Sequence, residues 1–270
     1  MKVKLIRQAR ITVKAGEIVE VSPTEAAFLI STRSAVPVSA AKETPAVPAR
    51  QTARKKKGYF MRLLIGVPCV DYMHVEFVKS LTGLIQHLDR DGVDYTLFLN
   101  PGSLIHIARD KIASKAINDG YSHVLWLDSD MVFGPELLDD LMFSGKPFVT
   151  GICASRRRPY VGCIFSEIDD INHLARVEDI PHAPFEVQGC GFACVLIETE
   201  ILRAVMMANH GRCFLPMEAY GEDLAFCLRA RRLGYHIWAD PAVRPGHISH
   251  EAVYYPDDHE RYMRGLDDHG

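Results

Sequence analysis

The first strand predicted in the larger domain has the sequence Arg62-Leu63-Leu64-Ile65-Gly66-Val67, which is apolar almost throughout. A continuous apolar run of this kind indicates a strand that is buried on both faces. Apolar residues then recur at helical spacing over residues 75–88, a second strand is predicted at 95–99, a helix at 104–118, and a third strand at 123–127. This β-α-β-α-β order predicts an α/β fold with a mainly parallel sheet, in which ligands bind beyond the carboxyl ends of the strands.

Two aspartates follow the third strand directly, in the sequence Asp128-Ser129-Asp130. In extended backbone, residues i and i+2 project to the same side, so Asp128 and Asp130 form a pair of carboxylates at the expected ligand edge. Oxygen ligands of this kind suit Mg²⁺ or Mn²⁺, and a diphosphate would complete the coordination. Turn formation or helix capping is the alternative explanation for the same spacing.

A second acidic pair, Glu222 and Asp223, follows Gly221 at the start of a predicted helix that Gly234 ends. Acids in this position also complement the helix macrodipole, which is the alternative explanation for the pair. After the helix come a predicted strand over residues 235–240 and then His247, whose position alone is compatible with a surface histidine.

The composition is that of an ordinary soluble globular protein, with 48% hydrophobic and 24% charged residues in a chain of 270. The net charge of -3 provides no basic field, so no nucleic-acid partner is expected. We expect no membrane span and no signal peptide, because the sequence lacks an apolar run of sufficient length. The seven scattered cysteines form no Cys-x-x-Cys pair, which predicts a reducing, cytoplasmic location.

The sequence predicts four segments along the chain. In order, they are a small ββα module, a flexible basic linker rich in proline and alanine, the large α/β domain and a C-terminal tail: residues 1–34, 35–57, 58–250 and 251–270. In the module, strands are predicted at residues 3–6 and 18–21, and the capping sequence Ser22-Pro23-Thr24-Glu25 opens a short helix.

Taken together and in this order, the motifs resemble the GT-A fold glycosyltransferases, in particular their family-2-like branch, over roughly residues 60–250. The resemblance implies that Asp128 and Asp130 bind the metal together with the ribose and diphosphate of the donor, with Asp130 the stronger candidate for direct metal contact. It also implies that His247 supplies a further metal ligand, although His250 competes for that role.

The same resemblance implies roles for further residues. Of the acidic pair, Asp223 would be the catalytic base or the anchor of the acceptor, and Glu222 is its stand-in. Arg109 would face the nucleotide, although Asp110 follows it where asparagine is frequent in the family. Contacts to the base and to the sugar would come from the end of the first strand and from a glycine-containing stretch, respectively: Pro68, Cys69 and Asp71, and Gly189 and Gly191.

Two further stretches bear on this interpretation. Residues 153–158, Cys-Ala-Ser-Arg-Arg-Arg, are either a basic loop over the diphosphate or a solvated loop. The N-terminal module is similar to small modules of phage and prophage proteins, in the stretch of residues 15–21 and the capped helix that follows.

The function that the resemblance implies is that of a hexosyltransferase, which transfers a sugar from a UDP-sugar to an unidentified acceptor with Mn²⁺ or Mg²⁺ as cofactor. One alternative is a nucleotidyltransferase on a similar sheet, but Pro68-Cys69-Val70-Asp71 stands where such enzymes have a glycine-rich phosphate loop. Another is a binding or assembly protein that holds a nucleotide-sugar without consuming it, for which the N-terminal module would serve as a docking unit.

Overall fold

The computed structural model of the chain describes residues 2–5, 18–20, 35–37, 61–70, 72–102, 104–169, 173–249 and 253–265. The chain forms two compact units, Met1–Tyr59 and Phe60–Gly270.

In the first unit, three short strands form an antiparallel sheet. Strand β1 (Lys2–Leu5) lies between β2 (Ile18–Glu20) and β3 (Ala35–Pro37). The first two strands lie where the sequence predicts them, and the third lies at the beginning of the stretch interpreted as a linker. The helix predicted after Ser22-Pro23 lies outside the described residues.

The described residues of the second unit form a large central sheet and two small ones. Its strands, in chain order, are β4 (Arg62–Cys69), β5 (Asp94–Pro101), β6 (His123–Leu127), β7 (Met131–Val132), β8 (Phe148–Gly151), β9 (Ile164–Ile168), β10 (Leu174–Arg176), β11 (Phe185–Val187), β12 (Gly189–Cys190), β13 (Cys194–Glu198), β14 (Ile237–Asp240), β15 (Gly246–Ile248) and β16 (Val253–Tyr254). Its helices are α1 (Val75–Asp91), α2 (Ile105–Asn118), α3 (Leu137–Phe143), α4 (Thr199–Ala208), α5 (Glu222–Arg232) and α6 (Pro256–Met263).

The central sheet has seven strands in the order β11-β14-β8-β13-β6-β4-β5. Five of them run in the same direction, while β11 and β13 run opposite to their neighbours. The predicted α/β fold with a mainly parallel sheet is therefore confirmed. Strands β4 and β6 are adjacent and parallel, as the β-α-β order predicts.

Helices cover both faces of this sheet, and the alternation of side chains along β4 and β6 explains why. Leu64 and Trp126 belong to a core that also contains buried residues of α2, α4 and α5. Ile65 and Leu127 point to the other face, into a core shared with α1 and α3. Both strands are apolar without interruption because each side of the sheet is buried.

Two three-stranded sheets lie beside the central one, in the orders β10-β9-β12 and β16-β15-β7. The second of these brings distant parts of the sequence together, because β7 begins immediately after Asp130 and β15 contains His247. Of the helices in the described part of the chain, none combines the length and the apolarity that crossing a bilayer requires.

Candidate functional site

The two aspartates that follow β6 are held by backbone hydrogen bonds on both sides. The N–H of Asp128 donates to the carbonyl of Ala193 at 3.0 Å, and the carbonyl of Asp130 accepts from the N–H of Ile248 at 2.8 Å. Their side chains are partly buried, with 27% of Asp128 and 22% of Asp130 exposed. The carboxylates are thus fixed in place and still open to a ligand.

His247 lies beside Asp130, 117 residues later in the chain. Strand pairing sets His247 opposite Met131 and brings its Nε2 to 3.3 Å from Oδ2 of Asp130. The other ring nitrogen, Nδ1, is 2.8 Å from the carbonyl oxygen of Ala154. Because that carbonyl can only accept, Nδ1 carries the proton and donates it, which directs Nε2 towards Asp130.

This arrangement suits a divalent cation. Histidines that ligate metals typically donate their second ring nitrogen to a backbone carbonyl or carboxylate, as Nδ1 does here. When Nε2 is unprotonated, it and the Asp130 carboxylate present lone pairs to each other, so positive charge between them is favourable. One oxygen and one imidazole ligand are compatible with Mn²⁺ or Mg²⁺.

Charge around this pair shifts both pKa values. Burial alone would lower the pKa of His247, but Asp130 and the Ala154 carbonyl raise it above the ordinary 6.5. Burial alone would raise the pKa of Asp130, but His247 and Arg156 lower it below the ordinary 3.8. The site therefore favours a negative carboxylate facing a positive partner.

Arg109, on α2, connects the aspartate pair to α5. Its guanidinium donates to both carboxylate oxygens of Asp128, at 2.9 and 3.2 Å, and to Oε1 of Glu222 at 2.9 Å. It also lies 5.4 Å from the centroid of the Phe192 ring, in cation–π geometry. The side chain is 4% exposed. Arg109, predicted to face the nucleotide, therefore lies buried between two carboxylates.

The acidic pair Glu222 and Asp223 forms the first turn of α5, as predicted. Glu222 is bonded to Arg109 and is 15% exposed. Asp223 accepts a 2.7 Å hydrogen bond from the N–H of Leu224 through its Oδ1. The two acids thus have different partners, which distinguishes residues that the sequence could not rank.

The environment of Asp223 raises the pKa of its carboxyl group. Burial has the largest effect and raises it, Arg109 opposes this, and Glu222 adds to the increase. A helix N-terminus stabilises the charged carboxylate and a buried position disfavours it. At Asp223 burial has the larger effect, and a carboxylate with a raised pKa is a stronger proton acceptor.

The two glycines proposed for the sugar side differ in their surroundings. At Gly191, a Cβ atom would lie 3.8 Å from Oδ2 of Asp223 and 3.5 Å from Cβ of Cys163. At Gly189, a Cβ atom would come within 2.1 Å of Cδ1 of Ile168. Gly191 therefore borders the Asp223 carboxylate, whereas Gly189 is tightly packed between β9 and α5.

The residues proposed to hold the base lie at the end of β4. The last paired residues of β4 and β6 are Gly66 and Trp126, so Pro68 is level with Asp128 at the same edge of the sheet. Pro68 and Cys69 are both buried. Asp71 lies outside the described residues, as does His250, the proposed competitor of His247.

Arg156 is a member of the site that the sequence identified only as part of a basic stretch. Its Nη1 lies 3.2 Å from Oδ2 of Asp130, the same oxygen that faces His247, and its side chain is 54% exposed. The run of three arginines after β8 was the available signal, but nothing in the run distinguishes Arg156 from its neighbours. Phe192, which stacks on Arg109, gave no signal beyond its place in the glycine-containing stretch.

Elsewhere in the described residues, His87, Asp91 and Asp139 also gather closely enough to hold a metal ion. Arg90 lies 2.9 Å from Nδ1 of His87, and because arginine can only donate, Nδ1 is the acceptor. In the neutral ring, Nε2 then carries the proton and donates to Asp139 at 2.8 Å. Hydrogen bonding accounts for this group without a metal.

No protein-family model matches the sequence, and no curated protein matches it. Solved structures do match. The protein A197 from STIV is 19% identical, with a TM-score of 0.51 over 73% of this chain and 92% of that chain. This likeness concerns the fold.

Two other solved structures align less closely. GalNAc-T7, in a complex with UDP, GalNAc and Mn²⁺, is 10% identical, with a TM-score of 0.47 over 70% of this chain and 44% of that chain. The catalytic domain of Drosophila β1,4-galactosyltransferase 7, in a complex with xylobiose, is 16% identical, with a TM-score of 0.40 over 78% of this chain and 76% of that chain.

Proposed function

We propose that this protein is a metal-dependent glycosyltransferase, which moves a sugar from a nucleotide-sugar donor to an acceptor. One observation carries the proposal: a carboxylate–imidazole pair suited to a divalent cation is connected, through Asp128 and Arg109, to the start of α5, where a partly buried carboxylate has a raised pKa. Asp130 and His247 form the pair, and Asp223 is the carboxylate with the raised pKa. The resemblance of the sequence motifs to GT-A glycosyltransferases makes a UDP-sugar the first donor to test.

Asp130 and His247 would hold the ion, with Asp128 beside them. When bound, Mn²⁺ or Mg²⁺ supplies positive charge that stabilises a departing nucleoside diphosphate. The chain's own contribution is orientation. The Ala154 carbonyl fixes the His247 ring, and Arg109 fixes the Asp128 carboxylate through two hydrogen bonds.

Asp223 would act on the acceptor. As the acceptor's hydroxyl oxygen forms a bond to the anomeric carbon of the donor, its proton passes to the Asp223 carboxylate. The bond between that carbon and the diphosphate oxygen breaks, and its electron pair leaves with the nucleoside diphosphate. The raised pKa of Asp223 favours this role, because the carboxylate binds a proton more readily than an ordinary aspartate.

Arg109 would join the two halves of the site. It bonds to Asp128 on the donor side and to Glu222, next to the base, on the acceptor side. Fixed distances between a donor site and a base are a large part of enzymatic rate enhancement, because they place the reacting groups before reaction.

The test is a screen of nucleotide-sugars with Mn²⁺ for release of free nucleoside diphosphate, with UDP-sugars first. We expect release with at least one donor, and loss of release in excess EDTA and in the Asp130→Ala variant. Formation of a nucleoside triphosphate and a sugar 1-phosphate when pyrophosphate is added to the donor would instead indicate nucleotidyl transfer. Binding of every tested donor without turnover, in the presence of candidate acceptors, would favour a nucleotide-sugar-binding protein and contradict the proposal.

A further inference from the structure

Arg156 and His247 approach the same oxygen atom. Oδ2 of Asp130 lies 3.2 Å from Nη1 of Arg156 and 3.3 Å from Nε2 of His247. Arg156 is the more exposed of the two, since 54% of its side chain is accessible against 15% for His247. Part of the guanidinium therefore faces Asp130, and its remaining N–H donors are open to a ligand.

The loop that carries Arg156 is closed by its own backbone. Ala154 bridges to Gly162, and the N–H of Ser155 donates to the Val161 carbonyl at 2.9 Å. Within the loop, the N–H of Tyr160 donates to the Arg157 carbonyl at 2.8 Å. These bonds give the loop a defined path beside Asp130.

Three tyrosines fasten the far side of this loop to the C-terminal segment. The ring of Tyr160 is buried and stacks on that of Tyr254, with centroids 4.4 Å apart and an angle of 20° between the rings. Tyr262, on α6, meets Tyr160 edge-on at 6.4 Å. Tyr254 in turn pairs with His247 across β15 and β16. One aromatic group therefore connects the Arg156 loop to the strand of the proposed metal ligand.

The other arginines of the loop are arranged differently. Arg158 lies over the ring of Tyr262 at 5.7 Å, and its Nε is 3.4 Å from the Tyr160 hydroxyl. Its guanidinium therefore interacts with two of the three tyrosines. Arg157 is exposed. Arg156 is the one of the three whose guanidinium pairs with Asp130 in the described residues.

A divalent cation bound to Asp130 and His247 would add positive charge close to Arg156. The single negative charge of Asp130 then neutralises only part of the positive charge of the cation and the guanidinium, so the group as a whole attracts a further anion. The diphosphate of a nucleotide-sugar has the charge to bind both, and the planar guanidinium matches phosphate oxygens with paired N–H donors.

We propose that Arg156 binds the diphosphate of the donor, and that the stacked tyrosines Tyr160 and Tyr254 position the loop that carries it. This inference rests on the proposed function, because it takes the donor to be a nucleoside diphosphate derivative. It assigns to the C-terminal segment, residues 253–263, a part in building the donor site.

The first test measures binding of UDP, GDP and ADP in the presence of MnCl₂ by calorimetry, with the full-length protein. For the nucleotide that binds best, we expect Arg156→Ala to weaken binding by about tenfold to 100-fold, as loss of a charged hydrogen bond does. Arg157→Ala is the matched control and should bind as the unmodified protein does. Mn²⁺ binding without nucleotide should not weaken in Arg156→Ala, which shows that the metal site is intact.

The second test concerns the aromatic group. Tyr254→Phe keeps the stacked ring and should bind the nucleotide normally, while Tyr254→Ala should weaken binding in the same direction as Arg156→Ala. If the tyrosine acts through Arg156, the double variant should bind no more weakly than Arg156→Ala alone, within about twofold.

The outcomes separate the two proposals. If the unmodified protein binds none of the three nucleotides with Mn²⁺, the proposed function is contradicted. If it binds one of them and Arg156→Ala binds equally well, the proposed function stands and the role of Arg156 is wrong. Additive effects of Tyr254→Ala and Arg156→Ala would overturn the positioning role of the tyrosine.

Discussion

The guanidinium of Arg109 donates to both carboxylate oxygens of Asp128, at 2.9 and 3.2 Å, from a position where its side chain is 4% exposed. A third bond joins its Nη1 to Oε1 of Glu222. Removing water from three charged groups is unfavourable, and the bonds between them offset this only while all three remain. Arg109 is therefore tied to both the stability and the geometry of the site.

We predict that Arg109→Met lowers the free energy of unfolding by about 3–5 kcal/mol, because it leaves two partly buried carboxylates without their counter-charge. Arg109→Lys should cost less, since one ammonium keeps the charge but cannot make the same paired bonds. Urea unfolding at neutral pH measures both.

An exposed ion pair provides the control. Arg203 pairs with Glu200 at 3.2 Å with 42% of its side chain exposed, so Arg203→Met should change the free energy of unfolding by less than about 1 kcal/mol. At acidic pH, protonation removes the unpaired charges in Arg109→Met, so its deficit should shrink. An Arg109→Met protein as stable as the unmodified one would contradict this account of the contact.

The metal ligands give a second prediction. Asp130→Ala and His247→Ala should each lose most Mn²⁺ binding while leaving the secondary structure intact, because both side chains are partly exposed and the pairing of β15 with its neighbours uses backbone groups. Calorimetric titration with MnCl₂ measures the loss, and circular dichroism checks the fold. His236→Ala, at an exposed histidine paired with Glu186, is the control and should bind as before. Normal Mn²⁺ affinity in both site variants would show that neither Asp130 nor His247 ligates the metal.

The pH dependence of Mn²⁺ binding is a third prediction. A proton and a metal ion compete for Nε2 of His247, so affinity should fall as the pH decreases through the pKa of this histidine. Because that pKa lies above the ordinary 6.5, the decline should begin at a higher pH than an unperturbed histidine would give. Titrations between about pH 5 and pH 8 follow the effect. Constant affinity across this range would show that the histidine does not ligate the metal.

Removal of residues 1–57 is a fourth test. The second compact unit begins at Phe60, and β4 begins at Arg62, so a truncated protein that starts near Gly58 retains the whole central sheet. We expect it to fold and to bind nucleotide with Mn²⁺ as the full chain does. A folded truncated protein that binds no nucleotide would assign the N-terminal unit a part in donor binding.

Local patterns in the sequence predicted the first half of the fold well. The apolar runs of β4 and β6 and the helical spacing in α1 and α2 depend on neighbouring residues, and these elements lie where they were predicted. The place of β13 was not predictable in the same way. It lies between β6 and β8 and runs antiparallel to both, an arrangement that depends on long-range packing.

The contacts within the site were likewise only partly predictable from the sequence. The spacing of Asp128 and Asp130 identified a pair of carboxylates, since it depends on three consecutive residues. Arg109 meets Glu222 across 113 positions in the chain, and Arg156 reaches Asp130 through a loop. Such contacts are set by the packing of whole elements, so a sequence pattern could name the residues without indicating which partners they meet.

The last prediction concerns Asp223. Sequence alone left two opposing effects on its pKa, because the helix N-terminus favours the carboxylate and burial disfavours it. The structure places the residue where burial has the larger effect, and the resulting increase in pKa suits a base. Asp223→Asn keeps the shape of the side chain but cannot accept a proton, so turnover should fall by about 100-fold to 10,000-fold.

Affinity for nucleotide and Mn²⁺ should change little in Asp223→Asn, because those contacts are proposed for Asp130, His247 and Arg156. Glu222→Gln is the matched comparison. Glu222 is bonded to Arg109, so replacing its carboxylate by the amide of glutamine should affect stability and the position of Arg109 more than proton transfer. Near-normal turnover in Asp223→Asn would rule out the base assignment, and loss of nucleotide binding in this variant would place Asp223 on the donor side. If Glu222→Gln alone abolished turnover with the fold and nucleotide binding intact, the base would be Glu222.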